Sequence, residues 1–270
     1  MAFNDKVRDC IQNKNSLLCV GLDTAIDKMP EHIRQSDDPL FTFNKAIIDA
    51  TTEYAAAFKV NLAFYEAYGV DGWLALQRTL DYLPRDVIRI ADAKRGDIGN
   101  TAQMYAHAIF DTLGADAVTV NAYLGHDSAA PFLANPEKGV FFLCLTSNPG
   151  SKDLQYFSDG KQKLYERMAD LVQTWNDNRN CGLVVGATHP DELAGIRRQV
   201  PGLPLLIPGI GAQGGDLEAS VAKGTDSEGM GALFNSSRAV IYASTGKDFQ
   251  EAAATAAKNT RDALNAARNQ

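Results

Sequence analysis

The chain alternates apolar, strand-like runs with amphipathic helical stretches over most of its length. Runs rich in Val, Ile, Leu and Ala are typical of buried parallel strands. Eight such runs occur, at 17–23, 56–62, 87–94, 117–121, 140–147, 181–186, 203–209 and 239–243. Strict strand–helix alternation implies a parallel sheet, and eight units favour a closed barrel over an open sheet. We therefore predict an α/β fold, a (β/α)8 TIM barrel, with residues 1–270 forming a single catalytic domain.

Composition limits the partners of the chain. Its 270 residues, 45% of them hydrophobic, suffice for one large core. A net charge of −7 argues against nucleic acid, because phosphate backbones attract basic surfaces. The first residues form no apolar signal core and the apolar run 140–145 is too short to span a bilayer, so we expect no membrane partner. Four scattered cysteines without a CxxC pair favour a reducing, cytoplasmic location.

Two opposite charges end the third predicted strand. Asp92 and Lys94 lie two residues apart, so they share one face of the strand. Burying such a pair is expensive and rarely stabilises a fold on balance. One interpretation is a surface ion pair at a solvated strand end. Asp97, three residues further on between Gly96 and Gly99, adds charge that favours a functional site.

Polar residues end several other predicted strands. Active groups of a barrel gather at the carboxyl ends of its strands. The candidates there are Asp23, Lys59, Asn61, Asn121 and Ser147. Each has a structural alternative, such as a turn cap for Asp23, although Lys is almost never fully buried without a partner. Their occurrence at one rim predicts a polar site.

Glycines follow the seventh predicted strand. The segment 208–215 contains G-x-G-x-x-G, which also occurs in dinucleotide-binding folds. That motif belongs to the first strand–helix turn of such a fold, whereas this segment comes late in the chain. A phosphate site fits better, because backbone N–H groups of glycine turns bind phosphate in the loops after strands seven and eight. Arg238, placed just before the predicted eighth strand, offers a bidentate partner for phosphate oxygens.

The charged motif resembles a known family. Asp92, Lys94, Asp97 and Ile98 stand as D-x-K-x-x-D-I, the signature of the orotidine 5′-phosphate decarboxylases, and the longer bacterial form is most similar. The resemblance extends through strands one, two, three, five, seven and eight. It implies decarboxylation of orotidine 5′-phosphate to uridine 5′-phosphate, the last step of de novo pyrimidine synthesis, without metal or cofactor.

The resemblance also implies roles for individual residues. Lys94 would stabilise and protonate the C6 carbanion, with Asp92, Lys59 and Asp97 completing an alternating charge network. The implied substrate-binding residues are Asp23, Asn61, Thr101, Ser147, Gln213 and Arg238. In the family the equivalents of Asp97 and Thr101 reach the site from a second subunit, so a homodimer is expected. Which residues of 214–237 close over the phosphate stays open.

Two other hypotheses fit part of the pattern. A related barrel enzyme acting on a sugar phosphate would use the same D-x-K-x-x-D motif with Mg²⁺, but it needs an acidic ligand on strand two, where Lys59 and Asn61 stand. A non-catalytic small-molecule binding protein would not need two charge pairs at a buried strand end.

Overall fold

Eight parallel strands close into a barrel in the computed structural model, which describes residues 1–210 and 216–269. The strands follow chain order, and β8 pairs with β1 to close the sheet. They are β1 (Leu18–Gly21), β2 (Ala57–Asn61), β3 (Ile88–Arg95), β4 (Ala117–Val120), β5 (Gly139–Leu145), β6 (Cys181–Val185), β7 (Leu205–Pro208) and β8 (Ala232–Ser236). The predicted barrel is confirmed.

Helices surround the barrel and bury their apolar faces against it. They are α1 (Phe3–Lys14), α2 (Glu31–Arg34), α3 (Pro39–Thr51), α4 (Ala63–Glu66), α5 (Gly69–Tyr82), α6 (Gly99–His107), α7 (His126–Leu133), α8 (Ser151–Leu154), α9 (Leu164–Thr174), α10 (Pro190–Gln199), α11 (Leu217–Gly224), α12 (Arg238–Ile241) and α13 (Phe249–Arg268). None of the helices in the described ranges has the length and apolar character needed to cross a membrane.

The position predicted for the eighth strand was wrong. Residues 239–241 belong to the short helix α12, residues 242–243 follow it, and the strand is Ala232–Ser236. Val240 and Ile241 have the β-branched side chains that favour strands. Barrel closure decides otherwise, because 232–236 is the segment that pairs with both β7 and β1. Arg238 therefore follows β8, at the carboxyl end of the barrel.

Helix α1, which was not predicted, covers the amino-terminal end of the barrel. Phe3 is fully buried and packs edge to face on Phe141, with ring centroids 5.8 Å apart. A Cβ atom on Gly139 would lie 2.2 Å from the Phe3 ring, so only glycine leaves room for it. Asn4 Nδ2 donates to the Cys181 carbonyl at 3.2 Å, which ties the helix to β6.

A buried ion pair lies at the same end. The Arg89 guanidinium donates two hydrogen bonds to the Asp116 carboxylate, at 2.8 and 2.9 Å, and Lys6 Nζ donates a third at 2.8 Å. Burial alone would raise the pKa of Asp116, but Arg89 and Lys6 outweigh it and lower the pKa to about 2. These charges are fully paired, so this end of the barrel is built for stability.

Replacing Phe3 with Ala should lower the free energy of unfolding by about 3–5 kcal/mol, because it empties a fully buried site against Phe141. Urea unfolding measures the effect. Phe157→Ala is the control, because Phe157 is exposed and should change stability by less than about 0.5 kcal/mol. Equal effects of the two substitutions would contradict the role given to α1.

Candidate active site

A cavity of about 630 Å³ opens at the carboxyl ends of the strands. Its volume suits a drug-sized or nucleotide-sized ligand. Residues from all eight strands or the loops that follow them line it, among them Asp23, Lys59, Asn61, Asp92, Lys94, Thr119, Ser147, Gly209, Asn235, Ser237 and Arg238. A smaller cavity of about 220 Å³ lies beside α1 at the opposite end, away from these residues.

Four charges form an alternating array on the floor of the large cavity. Lys59 Nζ donates to Asp23 Oδ1 at 3.3 Å and to Asp92 Oδ2 at 3.0 Å. Lys94 Nζ donates to the other oxygen of Asp92, Oδ1, at 2.6 Å. Lys59 and Asp92 are buried, whereas half of the Lys94 side chain is exposed to the cavity. The array thus ends in an ammonium group that a ligand can reach.

Mutual attraction keeps these groups ionised despite their burial. Burial raises the pKa of Asp92, but the positive charges of Lys59 and Lys94 outweigh it and hold the pKa well below its ordinary value. Burial lowers the pKa of Lys59, and the charges of Asp92 and Asp23 more than reverse that effect. The cavity floor therefore carries fixed charges at neutral pH.

Strand β3 is irregular where it carries the array. Its pairing with β4 runs Ala91↔Val118 and resumes at Arg95↔Val120, so the three residues Asp92–Lys94 face Thr119 alone. Lys94 has a φ of 46°, in the left-handed region that non-glycine residues rarely occupy. This bulge brings both charged side chains of β3 into the cavity.

Ser147 lies at the rim after β5. Its Oγ is buried and has no hydrogen-bond partner within the described residues. A Cβ atom on Gly186 would lie 2.1 Å from that oxygen, so the glycine after β6 makes the position of Ser147 possible. A buried hydroxyl without a partner at a cavity wall is suited to bind a polar ligand atom.

Residues that the sequence predicted to bind phosphate belong to the cavity wall formed by β7, β8 and β1. Gly209 has a φ of 99° and Arg238 lies at the start of α12, and both line the cavity. A Cβ atom on Gly21 would lie 2.0 Å from Ser237 Oγ, so a glycine is required in β1 for this approach. Gln213, also predicted for this wall, lies outside the described residues.

Three of the predicted residues lie away from the charge array of their own chain. Asp97 Oδ1 accepts the N–H of the next residue, Ile98, and Asp97 does not line the cavity. Thr101 is exposed on α6. Asn121 is exposed and accepts from the Tyr123 N–H at 3.1 Å, which is a turn-capping role.

Asn61 does line the cavity, although it is not part of the charge array. Its Oδ1 accepts from the Ala63 N–H at 3.3 Å, at the start of α4. Its position two residues after Lys59 places both side chains on the inner face of β2, as the sequence predicted.

Sequence reasoning missed Thr119, Asn235 and Ser237. Thr119 stands in the apolar run of β4, where a β-branched residue is ordinary strand composition. Asn235 is buried in β8 and lines the cavity. It was missed because the eighth strand was predicted at the wrong position. For Thr119 and Asn235, the signal available in the sequence was a polar residue inside an otherwise apolar strand.

Comparisons with known proteins agree on one family. The family model described as "Orotidine 5'-phosphate decarboxylase / HUMPS family" matches residues 16–256. An orotidine 5′-phosphate decarboxylase from Dehalococcoides mccartyi (strain CBDB1) is 48% identical over 269 residues, which cover 98% of each chain.

Solved structures give the same result. The OMP decarboxylase of Leishmania donovani superposes with a TM-score of 0.88 at 41% identity and full coverage of both chains. The UMP synthase of the same organism has a TM-score of 0.90 at 42% identity. It is matched by 99% of this chain, which spans 57% of the length of that synthase.

Removing the central cation should destabilise the protein. Lys59→Met removes the shared partner of the half-buried Asp23 and the buried Asp92, which should lower the free energy of unfolding by about 3–5 kcal/mol at pH 7. In the wild type the lowered pKa of Asp92 contributes stability above the ordinary carboxyl range, and this contribution is lost as the pH falls. That loss occurs only below the ordinary carboxyl range, so the difference between the two proteins should be smaller at pH ~3 than at pH 7.

Urea unfolding at both pH values tests this prediction. Lys45→Met is the matched control, because Lys45 pairs with Asp49 on the exposed face of α3, where the loss of an ion pair should change stability little at either pH. A constant difference between wild type and Lys59→Met across the pH range would show that Lys59 does not act through the charge of Asp92.

Proposed function

The chain belongs to the orotidine 5′-phosphate decarboxylase / HUMPS family, and we propose that it decarboxylates orotidine 5′-phosphate to uridine 5′-phosphate without metal or cofactor, as a single catalytic domain. The observation that carries the proposal is the array of Asp23, Lys59, Asp92 and Lys94 on the floor of a cavity of nucleotide size. A fold that needed only a core would place apolar residues at these inward positions.

The chemistry calls for a fixed cation. Loss of CO₂ from C6 of the pyrimidine leaves a carbanion that the ring cannot delocalise well. Lys94 Nζ, held 2.6 Å from Asp92 Oδ1, supplies positive charge before the reaction and needs no reorganisation during it. Lys94 then donates a proton to C6. Asp92 fixes this ammonium and presents its own charge beside the departing carboxylate.

Lys59 distinguishes this site from that of a magnesium enzyme. Its ammonium lies between Asp23 and Asp92, where a divalent cation would need its ligands. Glu66, the nearest acidic residue after β2, pairs with Arg95 at 2.9 Å. The donor set therefore suits a lysine-centred charge network better than a metal ion.

The remaining cavity residues fit the rest of the nucleotide. We assign Asp23 and Asn61 to the ribose and Ser147 to the pyrimidine, an assignment supported by their positions in the cavity lining. We assign Arg238, which lines the cavity with Gly209, to the phosphate, and Gln213 to the same group from its sequence position. Binding the phosphate far from C6 supplies energy that lowers the barrier at C6.

We further propose a cytoplasmic homodimer with shared active sites. Asp97 lies at a rim where Ile98, Met104, Tyr123 and Leu124 expose large apolar side chains. Such a cluster beside an unfinished site supports a second copy of the chain covering it and inserting Asp97 and Thr101. All four cysteines are buried thiols, which fits a reducing compartment.

Loss of orotidine 5′-phosphate absorbance in the presence of EDTA tests the function. Wild type should turn over, and Lys94→Ala should be slower by at least about 10³-fold because it loses both the cation and the proton donor. Lys258→Ala on the exposed face of α13 is the control and should match wild type. No turnover by wild type, with Mg²⁺-dependent activity on a sugar phosphate, would favour the metal-dependent relatives.

Mixing two inactive variants tests the shared site. In a heterodimer of Lys94→Ala and Asp97→Ala chains, one site receives both substitutions and the other receives neither. Equimolar refolding together should therefore restore about a quarter of wild-type activity. Each variant refolded alone is the control, and a mixture as inactive as its components would show that Asp97 does not act across subunits.

A further inference from the structure

We propose that Thr119 is a positioning residue for the decarboxylation, fixing both Lys94 and Asp92 through one hydroxyl group. The inference rests on the proposed function, because it concerns the same site. Thr119 lies in β4, is 1% exposed, and contributes to the cavity wall beside the charge array.

The bulge in β3 creates the need for such a residue. Where Asp92–Lys94 face Thr119 alone, β4 cannot supply a carbonyl to every N–H group of β3. The Lys94 N–H is instead accepted by Thr119 Oγ1 at 2.9 Å. Regular pairing resumes at once, because the Asn121 N–H donates to the Arg95 carbonyl at 2.8 Å. The hydroxyl therefore replaces the hydrogen bond that the bulge removes.

The same hydroxyl fixes the carboxylate. Thr119 Oγ1 donates to Asp92 Oδ1 at 2.9 Å, the oxygen that also accepts from Lys94 Nζ. Accepting from the Lys94 backbone leaves the hydroxyl proton free to point at the carboxylate. Oδ2 of Asp92 is held separately by Lys59 at 3.0 Å. Both Asp92 oxygens are thus anchored, and the Lys94 ammonium has one fixed partner.

The backbone of Lys94 shows why this anchoring matters. Its φ of 46° is costly for a residue with a Cβ atom and persists only when its surroundings enforce it. Thr119 is the side chain that hydrogen-bonds the Lys94 N–H in this conformation. Without the hydroxyl, the bulge can relax and shift Nζ away from the reacting carbon. A displacement of about 1 Å is enough to slow a reaction ~100-fold.

Thr119→Val tests the role, because it keeps the shape of the side chain and removes the hydroxyl. We expect kcat to fall roughly 10- to 100-fold while KM changes by less than about 2-fold, because the ribose and phosphate contacts are elsewhere. UMP affinity should likewise stay within about 2-fold of wild type. Thr119→Ser, which keeps the hydroxyl, should recover kcat to within about 3-fold of wild type.

Thr51→Val is the matched control. Thr51 is also fully buried and donates to the Ile47 carbonyl within α3, far from the cavity. It should retain wild-type kcat, so the kcat loss of Thr119→Val is not the general effect of deleting a buried hydroxyl.

The outcomes distinguish the positioning role from the proposed function. Full activity of Thr119→Val, or a Thr119→Ser variant as slow as Thr119→Val, would overturn the role of the hydroxyl and leave the decarboxylase assignment intact. A parallel loss of UMP affinity would show a collapsed cavity and would also overturn the positioning role. No turnover of orotidine 5′-phosphate by wild type would overturn the proposed function and this inference together.

Discussion

The buried contact between Lys59 and Asp92 is the constraint on which the site depends. Neither charge is tolerable alone at this depth, and each is ionised because the other is present. Replacing such pairs with apolar residues often stabilises a protein, so the barrel keeps them at a cost to stability. That cost gives Lys94 a fixed anionic partner and a defined position at the cavity floor.

The two ends of the barrel have different roles: the amino-terminal end stabilises the fold, and the carboxyl end carries the candidate active site. At the amino-terminal end, Arg89 and Asp116 satisfy each other and α1 covers the opening with Phe3. At the carboxyl end, β3 bulges, Lys94 occupies a strained backbone conformation and Ser147 Oγ is left without a partner in the described residues. Strain and unsatisfied groups are costly, and these examples lie where a ligand can use them.

The sequence predicted the fold because strand–helix alternation admits few architectures. From the residues it also predicted that Asp92 and Lys94 share a face of β3, since Lys and Asp are rarely buried unless they are paired. The wider charge network came from the resemblance and included Asp97, whereas within one chain Asp23 is the outer carboxylate of the array. The sequence prediction failed at the eighth strand, where the β-branched Val240 and Ile241 form a helix and Ala232–Ser236 completes the barrel. Propensity is local, whereas the closing strand is chosen by which segment pairs with both β7 and β1.

By itself, the sequence determined the barrel, the identity of the charged residues and their family. Residue type and spacing along the chain carry this information. The charged residues stand out because burial of a charge is unfavourable wherever it occurs. Only the tertiary structure decided that Thr119 joins Lys94 and Asp92, and that Asp97 and Thr101 lie apart from the array within one chain. Those facts depend on the register between β3 and β4 and on distances across the barrel, which side-chain periodicity along one strand does not encode.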